Sequence, residues 1–310
     1  MGRPQRWRSG IDNMTNATTA PSNALPQAKG QSLLSGLRRF AVRYPLGVVG
    51  AVMVGVILLV AIAGPMVAGN PLEMRPRSVF APPSLDFPFG TDKFGRDMFS
   101  RVMYGAGIAL KVALLSVTFG VVVGTIMGVV SGYFRGVTDL AVQRVVDALM
   151  SLPTLLLALA LTASLGINTN NAIIAIGIVL VPQVARVARS STLSARELQY
   201  VDASIAVGAG SLRVLAIHIL PNIAAPIIVL ATASLARAVL IEASLSFLGF
   251  GTPPPDPSWG ADLSTMGRRF FQEAPWLVLA PGLAITVTVL GFNLLGDALR
   301  DVLDPRLRKV

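Results

Sequence analysis

Residues 200–222 read YVDASIAVGAGSLRVLAIHILPN, Tyr200 to Asn222, and they decide how the remainder of the chain is arranged. The stretch lies between two long apolar runs and is polar enough to sit in water. An Asp-Ala-Ser step (Asp202, Ala203, Ser204) is followed by Gly208, and Leu220-Pro221 comes twelve residues later. Small residues at 203, 204, 206, 208, 209 and 210 predict short helices whose surface lacks bulk and can lie close against another backbone. Gly208 can take a positive φ and so reverse the chain between two such helices. Pro221 suits the first turn of the helix that follows.

Outside this stretch the chain is strongly apolar. Of 310 residues, 53% are hydrophobic and only 14% charged, against about 25% charged in soluble domains. Mean hydropathy is +0.65. These values predict an all-α polytopic membrane protein. Cysteine is absent, which excludes disulfides and thiolate metal sites, and the single histidine, His218, excludes a His-rich metal cage. The net charge of +10 comes from 26 Arg and Lys against 16 acids. In a membrane chain that excess marks cytoplasmic loops, not nucleic-acid binding.

Six apolar runs are long enough, or nearly so, to cross a bilayer: 46–68, 112–134, 148–166, 167–185, 221–236 with an extension toward 249, and 274–296. The third and fourth are contiguous, so GINTNN (Gly166–Asn171) must turn between them. Residues 1–36, rich in Arg, Pro, Ser, Asn and Gln without apolar periodicity, are expected to form a disordered cytoplasmic tail and not a signal peptide. Residues 37–310 form the transmembrane domain, with 186–220 as a cytoplasmic loop. With the N-terminus inside, the inner segments carry more than twice the Lys and Arg of the outer loops, which places both termini and the 186–220 loop in the cytoplasm.

The second run carries Gly120, Gly124, Gly128 and Gly132, a stripe along which another helix can approach closely. Pro153, Pro182, Pro226 and Pro281 fall in or near spans, where each frees a carbonyl and can bend its helix. The first outer loop contains FGTDKFGRD. Its Asp92, Arg96 and Asp97 are expected to form a turn that folds the loop over the spans, not a reaction site.

Three further blocks support a family resemblance. The 200–222 stretch resembles the EAA loop of ABC-importer permeases, whose pattern is Glu-Ala-Ala, three residues, Gly, nine residues, Ile, one residue, Leu-Pro. Ala203, Gly208, Leu220 and Pro221 match in place; Asp202 replaces Glu, Ser204 the second Ala, and His218 the Ile. FGTDKFGRD, the EASLSFLG and PPPDPSWG pair, and FNLLGDALRDVLDPRLR near the C-terminus resemble the peptide/nickel branch, specifically the C-type subunit of dipeptide and oligopeptide importers. The resemblance spans residues 36–309. It implies a type I importer permease in the bacterial inner membrane that moves peptides by alternating access. Its implied partners are a second homologous permease, two ATPase subunits docked on Asp202, Ala203, Ser204, Gly208, Leu220 and Pro221, and an extracytoplasmic solute-binding protein. ATP, on this view, is bound by the partners and the chain holds no cofactor of its own. Nickel chelates or other small solutes are the alternative cargo.

The residues add their own constraints. The four lysines, Lys29, Lys93, Lys111 and Lys309, lack the Gly-Lys-Ser/Thr context of a phosphate-binding loop, so the chain is not read as an ATPase. No HExxH or GxSxG is present, and no catalytic or metal residues are assigned. A stand-alone secondary transporter or channel is the rival class; such proteins carry ionisable relays at mid-membrane and inverted repeats. Here no span-scale repeat is visible, and the candidates for lining a path are Arg237 and Glu242. Counting from Asn222 at about 1.5 Å per residue puts Arg237 about 22 Å and Glu242 about 30 Å along the fifth span, both in its outer half. Their side chains point about 140° apart, so they do not pair with each other. Lys111 is expected to snorkel, His218 to be a satisfied structural histidine, and the acidic and basic residues from Asp297 to Arg306 to form a solvated helix end.

Overall fold

The structure is a computed structural model that describes residues 43–303, with the side chains of residues 265–269 left out of the description. The expected tail, residues 1–36, and Asp304 and Arg306 of the C-terminal end lie outside the described residues. Among those described the fold is helical, with one isolated β-bridge between Thr91 and Asp97. The helices are α1 (Pro45–Val67), α2 (Met98–Phe134), α3 (Gly136–Met150), α4 (Thr154–Leu165), α5 (Thr169–Arg196), α6 (Gln199–Ala206), α7 (Ser211–Phe247), α8 (Trp259–Phe270) and α9 (Trp276–Leu303). Helix α7 begins as Ser211–Val214, passes through a π turn at Leu215–Ile219 and continues as Leu220–Phe247.

Five helices, α1, α2, α5, α7 and α9, are long and apolar enough to cross a membrane, and the α3–α4 pair makes a sixth crossing if counted as one. That pair is bent by 93°, so the apolar run over 148–166 is broken at the proline expected to bend it, and its start belongs to α3. Pro153 is the cause. It has no N–H to continue the ladder and pushes its neighbour out of helical geometry. Helix α4 alone, at 12 residues, spans only about 18 Å.

Two other boundaries also move. Helix α2 starts at Met98, fourteen residues before the apolar run, because Asp97 caps it by accepting from the Phe99 and Ser100 amides at 3.1 and 3.0 Å. Arg101 and Lys111 therefore sit inside a helix; Lys111 is exposed. Helix α5 continues to Arg196, so the first part of the 186–220 segment is helix and not loop. Asn168 caps its start at the expected GINTNN turn.

The core runs between α1, α2, α5, α7 and α9, through Ala113, Ile176, Ala238, Val239 and Leu245. The four-glycine stripe of α2 packs against α5. A Cβ built on Gly120, Gly124 or Gly132 would come within 2.9 Å of the Cβ of Leu180 (2.8 Å), Val184 (2.7 Å) or Thr192 (2.9 Å) respectively. On Gly128 it would meet Ala188 Cβ at 2.6 Å and the Arg189 amide nitrogen at 2.8 Å. Close backbone approach is thus the reason for the stripe. Gly128→Ala is expected to lower the melting temperature of the purified chain in detergent, with overpacking costing about 1–3 kcal/mol. A variant as stable as the parent would show that the two helices are not held this tightly.

At one end of the bundle, the cap end, residues 69–97 and α8 cover the helices. At the other, the loop end, α3, α6 and the start of α7 gather. There Arg189 makes a two-pronged pair with Asp139, both bonds 2.6 Å, and Ser131 donates to the same carboxylate at 2.5 Å. This joins α3 to both α2 and α5.

Candidate docking surface and translocation cavity

Helix α6 ends as the sequence demands. Gly208 takes φ +85°, its N–H donates to Ile205 O at 2.9 Å, and the Ala209 N–H donates to Ser204 O at 3.1 Å. This is the Schellman closure, in which a left-handed residue after the helix satisfies the last carbonyls. The chain reverses there and re-enters α7 at Ser211.

The hairpin has two faces. Val201, Val214 and Ile219 are fully buried and cluster with Ala195, Ile223 and Tyr133. The opposite face is open: Asp202, Ala203 and Gly208 are exposed, Ser204 is half-buried, and Leu220 and Pro221 are exposed beyond the π turn. A Cβ on Gly208 would meet nothing within 4 Å. The expectation of a face without bulk needs one correction. Val207 and Leu212, 85% and 84% exposed, flank the glycine and make two apolar knobs around a bare centre. Sequence reasoning missed them because it attended to small residues. A large apolar residue on either side of a helix-ending glycine was the available signal.

His218 is half-buried and lies edge-on to Tyr200, ring centroids 5.7 Å apart. Asn222 Nδ2 donates to Tyr200 Oη and to His218 O, both at 2.6 Å, which ties α6 to α7.

The two path candidates separate. Arg237 is exposed and donates through Nη1 to Oε1 of Gln183 on α5. Gln183 is fourteen residues from the first residue of α5 and thirteen from the last, at the middle of that helix. Both residues line a cavity of about 320 Å³ with Met150, Thr154 and Leu180. Glu242 lies elsewhere and is 2% exposed. Its Oε1 accepts from the Ser246 hydroxyl at 2.8 Å and the Ser258 hydroxyl at 3.2 Å, and Ser246 Oγ accepts from the Thr252 amide. Within this chain Glu242 is a buried joint between α7 and the cap, and it neither lines the cavity nor reaches an open interface.

FGTDKFGRD folds the cap, as expected. Asp92 accepts from the Phe94 and Arg96 amides at 2.7 and 2.9 Å and from Arg96 Nε at 2.6 Å. Trp276 at the start of α9 donates to Thr91 O at 3.1 Å. Next to it is a pair the sequence did not reveal: Arg101 of α2 and Asp262 of α8, 3% and 2% exposed, joined at 2.7 and 3.0 Å. Burial raises the Asp262 carboxyl above the usual range, and the Arg101 guanidinium offsets only part of that rise.

The dipeptide transport system permease protein DppC of Escherichia coli (strain K12) is 44% identical over 269 residues, covering 84% of this chain and 89% of the relative. DppC of Alkalihalophilus pseudofirmus is 43% identical over 264 residues, covering 85% and 86%. Among solved structures, the MetNI methionine ABC transporter in its inward-facing form superposes with a TM-score of 0.54 at 20% identity, covering 67% of this chain and 98% of that one; this likeness supports the fold alone. Residues 120–309 match the family described as binding-protein-dependent transport system inner membrane component. With that match and relatives of such identity along most of its length, the chain belongs to this family of multi-pass inner-membrane transport permeases.

Proposed function

We propose that this chain is one of two homologous permease subunits of an ATP-driven importer and that it admits short peptides by alternating access. The observation that carries this reading is the hairpin at Gly208. It offers a bare glycine between two exposed apolar side chains, and it leads directly into the helix that runs on past Arg237 to the cap. Exposed apolar groups of this size on a polar segment mark a partner surface. The partner is an ATPase subunit, one on each permease, seated on Asp202, Ala203, Ser204, Gly208, Leu220 and Pro221. The cap end receives an extracytoplasmic binding protein. The chain supplies no catalysis and binds no cofactor; ATP is hydrolysed by its partners. Peptides are the cargo by likeness to the dipeptide relatives. ATPase subunits are expected to co-purify with the detergent-solubilised chain, and a chain that transports without them would sink the reading in favour of a stand-alone transporter.

Orientation has its own test. The Arg and Lys asymmetry puts the loop end and both termini in the cytoplasm. Ser194 is exposed at that end, and the chain has no native cysteine. Ser194→Cys is therefore expected to react with an impermeant maleimide only after the membrane is opened; labelling from outside intact spheroplasts would reverse the topology.

A further inference from the structure

The cavity that holds Arg237 and Gln183 has a chemical character that names a ligand. Arg237 has no carboxylate partner among the described residues, and it stands level with the middle of α5. An ionised group at this depth is tolerated only against water, another helix or a ligand. Gln183 spends its carbonyl oxygen on Arg237, so its carboxamide presents two N–H donors, and the guanidinium keeps the remainder of its five. With one lone pair left on that oxygen, the pair offers several donors against a single acceptor site. Around it the walls are apolar, through Leu149, Met150, Leu157 and Leu180. The cavity also sits at the break before α4, whose first residue, Thr154, lines it. Apolar walls with a few convergent polar groups, in a volume of about 320 Å³, describe a small-ligand pocket. A donor-rich pair that includes a guanidinium fits a carboxylate.

We propose that Arg237, positioned by Gln183, receives the C-terminal carboxylate of the peptide as it passes through the membrane. This rests on the reading of the chain as a peptide permease. Every free peptide carries that group whatever its side chains, so a single cation can serve many cargoes. A carboxylate from the second permease would also satisfy Arg237, but it would tie two helices together across the path, and the test below separates the two.

The assay uses the whole complex in proteoliposomes, with its binding protein saturated in turn with dialanine and with dialanine amide, so that loading does not discriminate. The parent complex is expected to import the acid about tenfold faster than the amide, the scale of one charge-assisted hydrogen bond. Arg237→Gln is expected to cut import of the acid about tenfold and leave the amide nearly unchanged, bringing the ratio close to one. Arg237→Lys should keep part of the preference, and Gln183→Leu should reduce it less than Arg237→Gln does. The ratio is internal to each preparation and does not depend on how much complex assembles. If Arg237→Gln slows acid and amide equally, or slows neither, the proposal is overturned; the equal loss is what a fixed pair with the neighbouring subunit produces. If the parent imports neither compound, the peptide-permease reading itself falls.

Discussion

Gly208→Val should abolish binding-protein-stimulated transport while leaving the protein inserted in the membrane at its normal level. Gly208 sits at φ +85°, a conformation a β-branched residue resists, and both closing bonds of the α6 turn depend on it. A valine must either strain the turn by about 1–2 kcal/mol or move it. Nothing lies within 4 Å of the new Cβ, so the chain itself is not overpacked. The added bulk instead projects into open space on the hairpin, where the ATPase is proposed to seat. Gly208→Ala separates the two effects, since it brings the strain with little bulk and should be intermediate. Asp202→Ala should be milder, because it removes a charge and keeps the small surface. Membrane level, ATPase co-purification and stimulated hydrolysis should be read side by side. Wild-type coupling in Gly208→Val at normal expression would remove the docking assignment and the main structural argument for an ATP-driven importer.

The second large effect is on stability. Arg101→Met strands Asp262 in a site 2% exposed to solvent, and breaking a buried pair from one side costs about 3–5 kcal/mol. Thermal melting in detergent should show a large drop. The sign of its pH dependence follows from burial. Without Arg101, the folded state holds a proton on Asp262 at pH values where the unfolded chain has lost it, so the variant's stability falls as pH rises above the ordinary carboxylate range. The loss should thus be smaller at pH 5 than at pH 8. The double variant Arg101→Met, Asp262→Leu should recover much of the stability, because no buried charge is then left alone. A single variant that melts like the parent at pH 8 would mean that the pair does not hold α8 to α2.

What the sequence could disclose was whatever is written locally. The apolar runs located five long helices, the glycine stripe announced a close helix contact on α2 without naming α5 as the partner, and Gly208 announced a reversal because only a left-handed residue closes such a turn. Long-range pairing was not legible. Arg101 and Asp262 are 161 positions apart, and neither stands in a pattern that names the other. The charge-free criterion for spans stopped at Lys111, so it began α2 fourteen residues late and left Arg101 outside the helix. Apolarity alone could not show that Pro153 turns the chain by 93° between α3 and α4. For Arg237 and Glu242 helical periodicity anticipated that they do not pair with each other but could not name their neighbours. Ser258, which buries Glu242, comes from another element.

The buried joint at Glu242 has a mechanical consequence. Helix α7 is held there by Ser258, and Gly260 lies so close to Ala243 that a Cβ would come within 2.8 Å of its carbonyl carbon. That makes the joint a fulcrum near one end of a long lever. Ser211 is about 46 Å from it along the helix and Arg237 about 7 Å. A tilt of about 5° about this point would carry the hairpin roughly 4 Å sideways and Arg237 less than about 1 Å, on that rise per residue. The end proposed to meet the ATPase can then travel far enough to open or close a gate while the guanidinium keeps its place.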